Sequence, residues 1–420
     1  MSNIYEAVQL IENGQTEKGL EVLKNSVKNA NDEEKYEAAI LFQSLGLLDE
    51  AKNIIEDLVY LYDDDEELKI IYAELLLDLD LEDEAMEILL TIKENNETKV
   101  QALLLMADLY QVQGLDEVAE QKLFEAKRIL PNEPVVDFAL GEYYFSKYDY
   151  KKAIPFYEKL MNQDIEVNGV SKELRLAESL SAEGEWEEAI PFYEKGIEQS
   201  KDFHTLLGYG ITLFQAERYA ACIPIFEEAI FFDPEYLVAH LWLSKAFDVE
   251  GQYQEGYDIL QKALLVDETN VECLMSAAKL ARKLKDLDSS KKHLQEALIY
   301  DPSLIEAVQL LVGILFEEED FDEIIGTVEL AIEHGASDPN FNWDLGKAYY
   351  GIEKYDLALN QYRLAYNDFN QEISFLKEFG DLLFEEGLIQ EAKEVYLKLQ
   401  DDEYLQEEVR ERLDRINEIM

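Results

Sequence analysis

The chain has 420 residues, of which 48% are hydrophobic and 11% aromatic, and this apolar content excludes an intrinsically disordered protein. Its 92 acidic and 37 basic residues give a formal net charge of -55, and a surface of that sign repels nucleic-acid phosphates and anionic lipid headgroups. We therefore expect a folded protein that neither binds nucleic acid nor inserts into a membrane.

The first residues and the two cysteines indicate where in the cell the protein is found. The opening segment, MSNIYEAVQLIENG, lacks the basic and apolar regions of a secretory signal, and no apolar run approaches the roughly 20 residues that cross a bilayer. Cys222 and Cys273 lie far apart without CxxC spacing, which is typical of a reducing compartment. We expect a cytoplasmic protein.

A period of about 34 residues runs along the whole chain, and its clearest mark is a small residue that follows a turn and a charged pair, as in LLDEA, LEDEA and WEEA. In chain order it stands at Gly19, Ala51, Ala85, Ala119, Ala153, Ala189, Cys222, Gly256, Ser290, Ile324, Ala358 and Ala392. Twelve repeats therefore fill the chain. They begin near residues 1, 32, 66, 100, 134, 170, 203, 237, 271, 305, 339 and 373.

Another small residue precedes each of these by twelve positions, and the two together predict a pair of closely packed helices in every repeat. These residues are Ala7, Ala39, Ala73, Ala107, Gly141, Ala177, Gly210, Ser244, Ala278, Val312, Gly346 and Gly380. In half of the repeats a glycine between the two helices favours a left-handed turn. These glycines are Gly14, Gly46, Gly114, Gly184, Gly251 and Gly387.

With these positions in register, the chain resembles the tetratricopeptide repeat proteins from end to end. Repeat eleven matches that family at Leu345, Gly346, Tyr349, Ala358, Tyr362 and Ala365, with Trp343 one place off its usual position. Repeat seven matches it at Tyr209, Gly210, Leu213, Phe226, Ala229 and Pro234. The resemblance implies an all-α fold, a right-handed superhelical solenoid of about twelve helix-turn-helix repeats. We expect one continuous array over residues 1–402.

The last segment, residues 403–420, is strongly charged but keeps apolar residues at helical spacing. They are Leu405, Val409, Leu413 and Ile416. We interpret this segment as a polar capping helix, because an open stack of repeats needs one at its end.

Repeat ten breaks the pattern at both small positions, where it carries Val312 and Ile324. Two branched side chains at the point of closest approach should push the helix pair apart. One interpretation is a locally repacked core, since cores tolerate compensated changes of volume. The other is a flex point between repeats nine and eleven.

The sequence offers no arrangement for catalysis, a cofactor or a metal. Its four histidines are scattered, and Gly208, Tyr209 and Gly210 lie within a predicted helix and not after a strand. No phosphate-binding loop, GxSxG elbow or HExxH motif is present. We therefore expect a protein that is not an enzyme and that holds no cofactor or metal.

The family resemblance implies that the first helix of each repeat lines a concave groove, and it places a set of partner-binding residues there. They are Phe138, Phe145, Phe214, Lys245, Lys279, Arg282, Trp343, Lys347 and Tyr350. Residues 271–304 hold six basic and five acidic side chains, an unusual balance in this acidic chain. The lysines are either ordinary solubilising residues or a stripe that engages acidic groups of a partner. The asparagine partners of the family's chaperone-binding branch are missing.

We therefore predict a non-catalytic scaffold or adaptor of bacterial type that binds a protein or peptide in its groove, with an acidic segment as the ligand that the lysines favour. The alternative is a peptide-responsive regulator, in which a ligand tightens the superhelix and changes a second interaction.

Overall fold

The computed structural model describes residues 3–28, 30–93, 96–163, 169–400 and 406–419, and every regular element within these ranges is an α-helix. The prediction of an all-α helical repeat solenoid is confirmed. The chain divides into two compact units, residues 1–201 and 202–420, which we call the N-terminal and C-terminal halves. A single continuous array over residues 1–402 stays a prediction.

The described part of the N-terminal half holds repeats one to six, each made of a first helix (A) and a second helix (B). The helices are α1 (Asn3–Glu12), α2 (Thr16–Val27), α3 (Asp32–Ser44), α4 (Leu48–Leu61), α5 (Glu66–Asp78), α6 (Glu82–Leu90), α7 (Glu97–Val112), α8 (Asp116–Ile129), α9 (Pro134–Ser146), α10 (Tyr150–Leu160), α11 (Lys172–Ala182) and α12 (Trp186–Gln199).

The C-terminal half holds repeats seven to twelve in the same A and B order, followed by one further helix. The helices are α13 (Phe203–Gln215), α14 (Tyr219–Phe232), α15 (Leu237–Val249), α16 (Tyr253–Val266), α17 (Val271–Lys283), α18 (Leu287–Tyr300), α19 (Ile305–Glu318), α20 (Phe321–Glu333), α21 (Pro339–Gly351), α22 (Tyr355–Phe369), α23 (Ile373–Glu385), α24 (Ile389–Leu399) and α25 (Gln406–Ile419).

Polar side chains begin many of the A helices by accepting a hydrogen bond from a backbone amide of the first turn, which would otherwise have no partner. These capping residues are Asn31, Asp65, Asn96, Ser171, Asp202, Asn270 and Asp338. The cap of α3 is reciprocal, since Glu34 also accepts from the amide of Asn31. The start of each of these helices is therefore written in the local sequence.

In all twelve repeats, the turn between the A and B helices has one residue in the left-handed conformation, at the same position of the repeat. Where the sequence has a glycine there, φ is positive, as at Gly14 with 76° and Gly184 with 83°. The other six repeats reach this conformation with larger residues, at a cost of about 1 kcal/mol each. Those residues are Asp80, Tyr148, Glu217, Lys285, Glu319 and Glu353.

The A and B helices of a repeat interlock at the first small residue. In four repeats this residue is a glycine that lies against an aromatic ring of the B helix, sixteen residues further along. The pairs are Gly141 with Tyr157, Gly210 with Phe226, Gly346 with Tyr362 and Gly380 with Tyr396. Where the residue is alanine, the B helix places leucine at the same register in repeats one, three, four and nine, isoleucine in repeat two and tyrosine in repeat six. Glycine thus faces an aromatic ring and alanine usually an aliphatic side chain, which keeps the summed volume similar, as dense packing requires, with repeat six as the exception.

Repeat ten follows this compensation with two residues of middle size, Val312 and Val328, and both are buried with Ile324. Even so, fewer backbone positions of α19 and α20 come close to one another than in any other described helix pair of one repeat. The two branched residues therefore accompany a helix pair with fewer close backbone approaches. A flex point at this repeat stays a prediction.

Three B helices contain a proline, and the last repeat is followed by one additional helix. Pro155, Pro191 and Pro224 each stand at the sixth residue of a B helix that continues beyond them. At the end of the chain, α25 packs on α24 and buries Val409 and Ile416, with Leu413 partly buried. Leu405, the remaining apolar residue of the predicted capping segment, lies outside the described residues.

Candidate functional surface

Three cations of repeat nine lie around one shallow cleft on the A helices of the C-terminal half. The cleft, of about 380 Å³, is lined by Lys279, Arg282 and Lys283 of α17 and by Asp248 of α15. Lys283 Nζ lies 2.5 and 2.7 Å from the two carboxylate oxygens of Asp248. Arg282 is exposed and pairs with no carboxylate in the part of the chain that the structure describes. The cleft therefore offers an unpaired guanidinium beside an exposed lysine.

Lys245 and Lys279 occupy the same register one repeat apart, and each reaches an acidic residue at the start of the next A helix. Lys245 Nζ lies 3.3 Å from Oε1 of Glu272, and Lys279 Nζ lies 2.8 Å from Oε1 of Glu306. All four side chains are largely exposed, and exposed ion pairs contribute about 0–1 kcal/mol. Both lysines can therefore exchange these carboxylates for those of a partner at little cost.

The third lysine at this register, Lys347, is held more firmly. Its Nζ lies 4.6 Å from the ring centre of Phe316, 4.8 Å from that of Trp343, and 3.2 Å from Oδ1 of Asp344. Burial raises the pKa of the Asp344 carboxyl above its ordinary value, although Lys347 opposes this rise. Since Lys347 serves these neighbours, it is less free to bind a ligand than Lys279 or Arg282.

The two aromatic residues expected on this surface are tied to the next repeat by glutamates. The indole Nε1 of Trp343 donates to Oε2 of Glu378 at 2.7 Å, and the ring packs against Phe369 and Phe375. The hydroxyl of Tyr350 donates to Glu385 at 2.9 Å, which raises the pKa of Tyr350 to about 12. Tyr350 is 41% exposed, whereas Trp343 is half-buried. Tyr350 therefore offers more surface to a partner.

The three predicted phenylalanines are engaged within their own halves. Phe138 is only 6% exposed and packs edge-on against Tyr157, so a partner could touch little of it. Phe145 is half-buried, with the guanidinium carbon of Arg175 4.5 Å above its ring centre. Phe214 is also half-buried and contacts Trp242. The partner-binding role of all nine predicted residues stays a prediction.

Sequence reasoning missed that the register of the three lysines is acidic in repeats three to six of the N-terminal half. The residue after the first small residue is Glu74, Asp108, Glu142 and Glu178 in repeats three to six. Glu74 and Asp108 reach solvent, yet the surrounding protein removes part of their hydration and raises the pKa of both carboxyls. Arg175 pairs with the other two, at 2.9 Å from Glu142 and 3.0 Å from Glu178. Reading this register along the chain would have revealed the change of sign.

Sequence reasoning also passed over Trp242, which lies beneath Lys245 with 5.0 Å between Nζ and the ring centre. It stands two positions before the first small residue of repeat eight, so register alone would have placed it on this helix face. We call the group Lys245, Lys279, Arg282 and Lys347 the basic A-face.

Other kinds of site find no support in the described ranges. No group of three or more histidine, cysteine or acidic residues there is arranged to hold a metal ion. Among the described helices, none combines the length and the apolar character needed to cross a membrane.

Two family models match this chain: "YpiA-like, tetratricopeptide repeats" over residues 111–165 and "YpiA-like, C-terminal tetratricopeptide repeats" over residues 339–406. The TPR repeat-containing protein YpiA of Bacillus subtilis (strain 168) is 42% identical over 415 residues, which is 99% of this chain and 98% of that protein. A DnaJ homolog subfamily C member 7 homolog of Schizosaccharomyces pombe is 24% identical over 170 residues, covering 37% of this chain and 36% of its own length.

Among solved structures, YrrB, described as a TPR protein with an unusual peptide-binding site, is similar with a TM-score of 0.40 and 14% identity over 44% of this chain and 96% of its own. Cut9-Hcn1, an APC/C hetero-tetramer, is similar with a TM-score of 0.34 and 12% identity over 98% of this chain and 95% of the matched chain.

Proposed function

Because the chain belongs to the YpiA-like family of tetratricopeptide repeat proteins, we propose that it is a non-catalytic scaffold whose C-terminal half binds an acidic segment of a partner protein. Helical repeats of this kind serve protein–protein interaction in general. The proposed contact is the basic A-face, with Lys279 and Arg282 at its centre and Tyr350 as an aromatic contact at its far end.

The observation that carries this proposal is the cleft around Arg282. A guanidinium has five donors in a planar fork that suits a carboxylate, and here it is exposed with no described carboxylate paired to it. In the cleft this guanidinium lies beside a second exposed cation, Lys279, so two positive charges face the same space. In repeats three to six the equivalent register is acidic, so that part of the N-terminal half would repel such a ligand.

The test is a variant in which the basic A-face is reversed to glutamate, used as bait in a lysate of the native host with quantitative mass spectrometry. Its matched control reverses four exposed lysines elsewhere in the same half and therefore carries the same net charge: Lys285, Lys292, Lys354 and Lys398. The proposal expects partners that the control retains and the basic A-face variant loses. Equal capture by both would remove the basic A-face from the function.

A second candidate is a peptide-responsive regulator, and the less extensive contact between the two helices of repeat ten favours it. A helix pair that is packed less closely costs less to rearrange when a ligand binds. Small-angle scattering with the captured partner separates the two functions. A regulator changes its radius of gyration when the peptide is added, whereas a passive scaffold keeps it.

We also place the protein in the cytoplasm of a bacterium. The relative with 42% identity is bacterial, and both cysteines are free and buried, as proteins of reducing compartments commonly have them.

A further inference from the structure

A second surface is formed by the last two residues of the B helices in repeats seven, eight and nine. Phe231, Leu265 and Ile299 stand at the same register and are 83%, 87% and 73% exposed. Each is followed by another large apolar residue that is about half exposed: Phe232, Val266 and Tyr300. We call these six residues the B-end stripe.

The B-end stripe is not a general property of the repeat. At the register of Phe231, eight other repeats carry polar residues, which are Lys28, Glu94, Arg128, Asn162, Glu198, Glu333, Asn367 and Asp401. Repeat two alone has a comparable exposed pair at this register, Tyr60 and Leu61, but its sequence neighbours in repeats one and three are polar there. These three side chains bury little apolar surface within their half, so they contribute little to its folding stability. The folding of the half therefore does not explain why they are apolar. Large exposed apolar side chains repeated at one register of consecutive repeats indicate an interaction site.

The stripe leads into an apolar cleft between the B helices of repeats nine and ten. The cleft, of about 250 Å³, is lined mainly by apolar residues, Leu298, Ile299, Pro302, Leu311 and Leu330, and its polar lining residues are Gln295, Glu323 and Thr327. Leu330 and the nearby Ile332 are each 44% exposed. The apolar surface therefore extends from exposed side chains into a hollow that could hold an apolar anchor of a partner.

Acidic residues line the stripe, because each of the three B helices is followed by a turn that carries them. These residues are Asp233, Glu235, Asp267, Glu268 and Asp301. Hydrogen bonds fix two of the carboxylates: Oδ1 of Asp267 accepts from the amide of Thr269 at 2.9 Å, and Oδ1 of Asp301 accepts from the amide of Ser303 at 3.0 Å. The negative charge beside the stripe is thus held in place.

These acidic residues at the border of the stripe favour one kind of ligand for it over others, because they attract positive charge and repel negative charge. A second copy of the chain would bring its own acidic border and a net charge of -55 against this one, and an anionic lipid surface would be repelled in the same way. A partner helix with apolar residues on one face and basic residues along its edge satisfies both the stripe and its border.

We propose that the B-end stripe binds an amphipathic, positively charged helix of a partner protein, separately from the acidic ligand of the basic A-face. The scaffold then holds two partners of opposite charge, one on its A helices and one on the ends of its B helices. The proposal does not depend on the basic A-face, because different helices and different residues form the two surfaces.

The probe that tests the proposal is a fluorescent 18-residue peptide with leucines at helical i, i+3, i+4 and i+7 spacing and lysines at the other positions. A scrambled peptide of the same composition measures attraction by charge alone, and a peptide with glutamate in place of lysine measures the role of sign. Fluorescence anisotropy at 0.15 M salt gives the dissociation constants.

The stripe variant is Phe231→Ser, Leu265→Ser and Ile299→Ser in the full chain, which removes apolar surface without adding charge. Its matched control removes three exposed apolar residues of the N-terminal half that stand at other registers, Tyr5, Val112 and Tyr148, by the same change to serine; they are 55%, 74% and 79% exposed. Both sets are so exposed that the fold should survive, and circular dichroism checks this.

The proposal expects the wild-type protein and the control to bind the lysine amphipathic peptide at least tenfold more tightly than the scrambled one, and the stripe variant to lose this preference. The proposal would be wrong if the stripe variant and the wild type bound the lysine peptide equally tightly. It would also be wrong if the wild type bound the glutamate peptide as tightly as the lysine peptide. Sedimentation velocity tests a third outcome. If the wild type is a dimer and the stripe variant is a monomer, a second copy of the chain occupies the stripe and the proposal is wrong.

Discussion

The ring of Tyr157 lies against the backbone of Gly141, so closely that a Cβ on Gly141 would come within 2.6 Å of the ring carbon Cε1. The ring cannot retreat, because Tyr157 is fully buried and its hydroxyl donates to Glu142 at 2.6 Å. The glycine on one helix and the aromatic ring on the next are thus a single packing solution, and it recurs in repeats seven, eleven and twelve.

We expect Gly141→Ala to destabilise the N-terminal half by about 1–3 kcal/mol, because the added methyl group overpacks the contact with Tyr157. Urea unfolding followed by the fluorescence of Trp186, the tryptophan of residues 1–201, measures it. The control is Gly326→Ala in α20, where an added Cβ would meet nothing within 4 Å. That change should stabilise its half by about 0.5–1 kcal/mol, because alanine is the better helix former. A neutral or stabilising Gly141→Ala would contradict the packing argument.

Repeat ten should open more readily than its neighbours. Its helices α19 and α20 approach each other closely at fewer backbone positions, so local unfolding there breaks fewer contacts. Hydrogen exchange followed by mass spectrometry should show faster exchange in α19 and α20 than in α17, α18, α21 and α22. Equal protection across these six helices would leave repeat ten as a locally repacked core without a flex point.

The compensation of volumes in repeat ten can be tested by restoring the pattern of repeats three and four. Val312→Ala alone should cost about 2 kcal/mol, because it leaves a cavity beside the buried Val328. Adding Val328→Leu refills the space, and the double variant should lie within about 1.5 kcal/mol of the wild type. Thermal unfolding followed by circular dichroism provides the comparison. If the second change gives no recovery, the two positions do not share one packing volume.

His293 should make the C-terminal half sensitive to mild acid. Its ring is buried, with Nε2 3.1 Å from the Tyr257 hydroxyl and 3.2 Å from Nε2 of Gln261, and Nδ1 3.3 Å from Glu296. Burial lowers the pKa of His293, although the Glu296 carboxylate opposes this. The unfolded ring titrates near its ordinary value of about 6.5 and so binds more protons than the folded ring below that pH. Burial of the neutral His293 ring therefore contributes to the folding stability of the protein above about pH 6.5, and this contribution is lost as the pH falls.

The measurement is the free energy of unfolding of the wild type minus that of His293→Gln, at pH 7.5 and at pH 5.5. The many carboxylates are common to both proteins, so their effects largely cancel, and the difference should fall at the lower pH. His204→Gln, at an exposed histidine of the same half, is the control for the substitution itself. A difference for His293 that does not change with pH would contradict this account.

Neither cysteine should react in the native protein. Cys222 and Cys273 are fully buried, and burial raises the pKa of each thiol to about 12, so the reactive thiolate is scarce at neutral pH. Iodoacetamide at pH 8 should leave both unmodified by mass spectrometry, and both should be alkylated in denaturing urea. Rapid alkylation of either thiol without denaturant would show that its repeat opens far more often than the packing implies.

The turns illustrate how far sequence reasoning reached. It recognised six of them by glycine, since glycine takes the left-handed conformation without cost. It had no signal for the same conformation at Tyr148 or Lys285, because there the packing of the two flanking helices imposes the backbone and offsets its local strain. The register of the repeat still located these turns, so the helix pairs were predicted even where the turn residue gave no indication.

The candidate surface was predicted less well. Register placed Lys279 and Arg282 on the same A helix, and the structure brings them to one cleft with Lys283. Register could not show that Phe138 is covered by Tyr157, or that Trp343 gives its indole hydrogen bond to Glu378 in the next repeat. These contacts join residues 19 and 35 positions apart, and they depend on side-chain volumes on two helices at once.

The sequence by itself determined the helical repeats, because a small residue at a constant spacing acts locally, through the close approach that it permits between two neighbouring helices. The tertiary structure alone decided which side chains remain in contact with water. Phe231 and Phe226 are both phenylalanines of α14, yet one is 83% exposed and the other is fully buried against Gly210. Exposure is a property of everything that surrounds a residue, and for that reason the B-end stripe emerged only when the helices were packed.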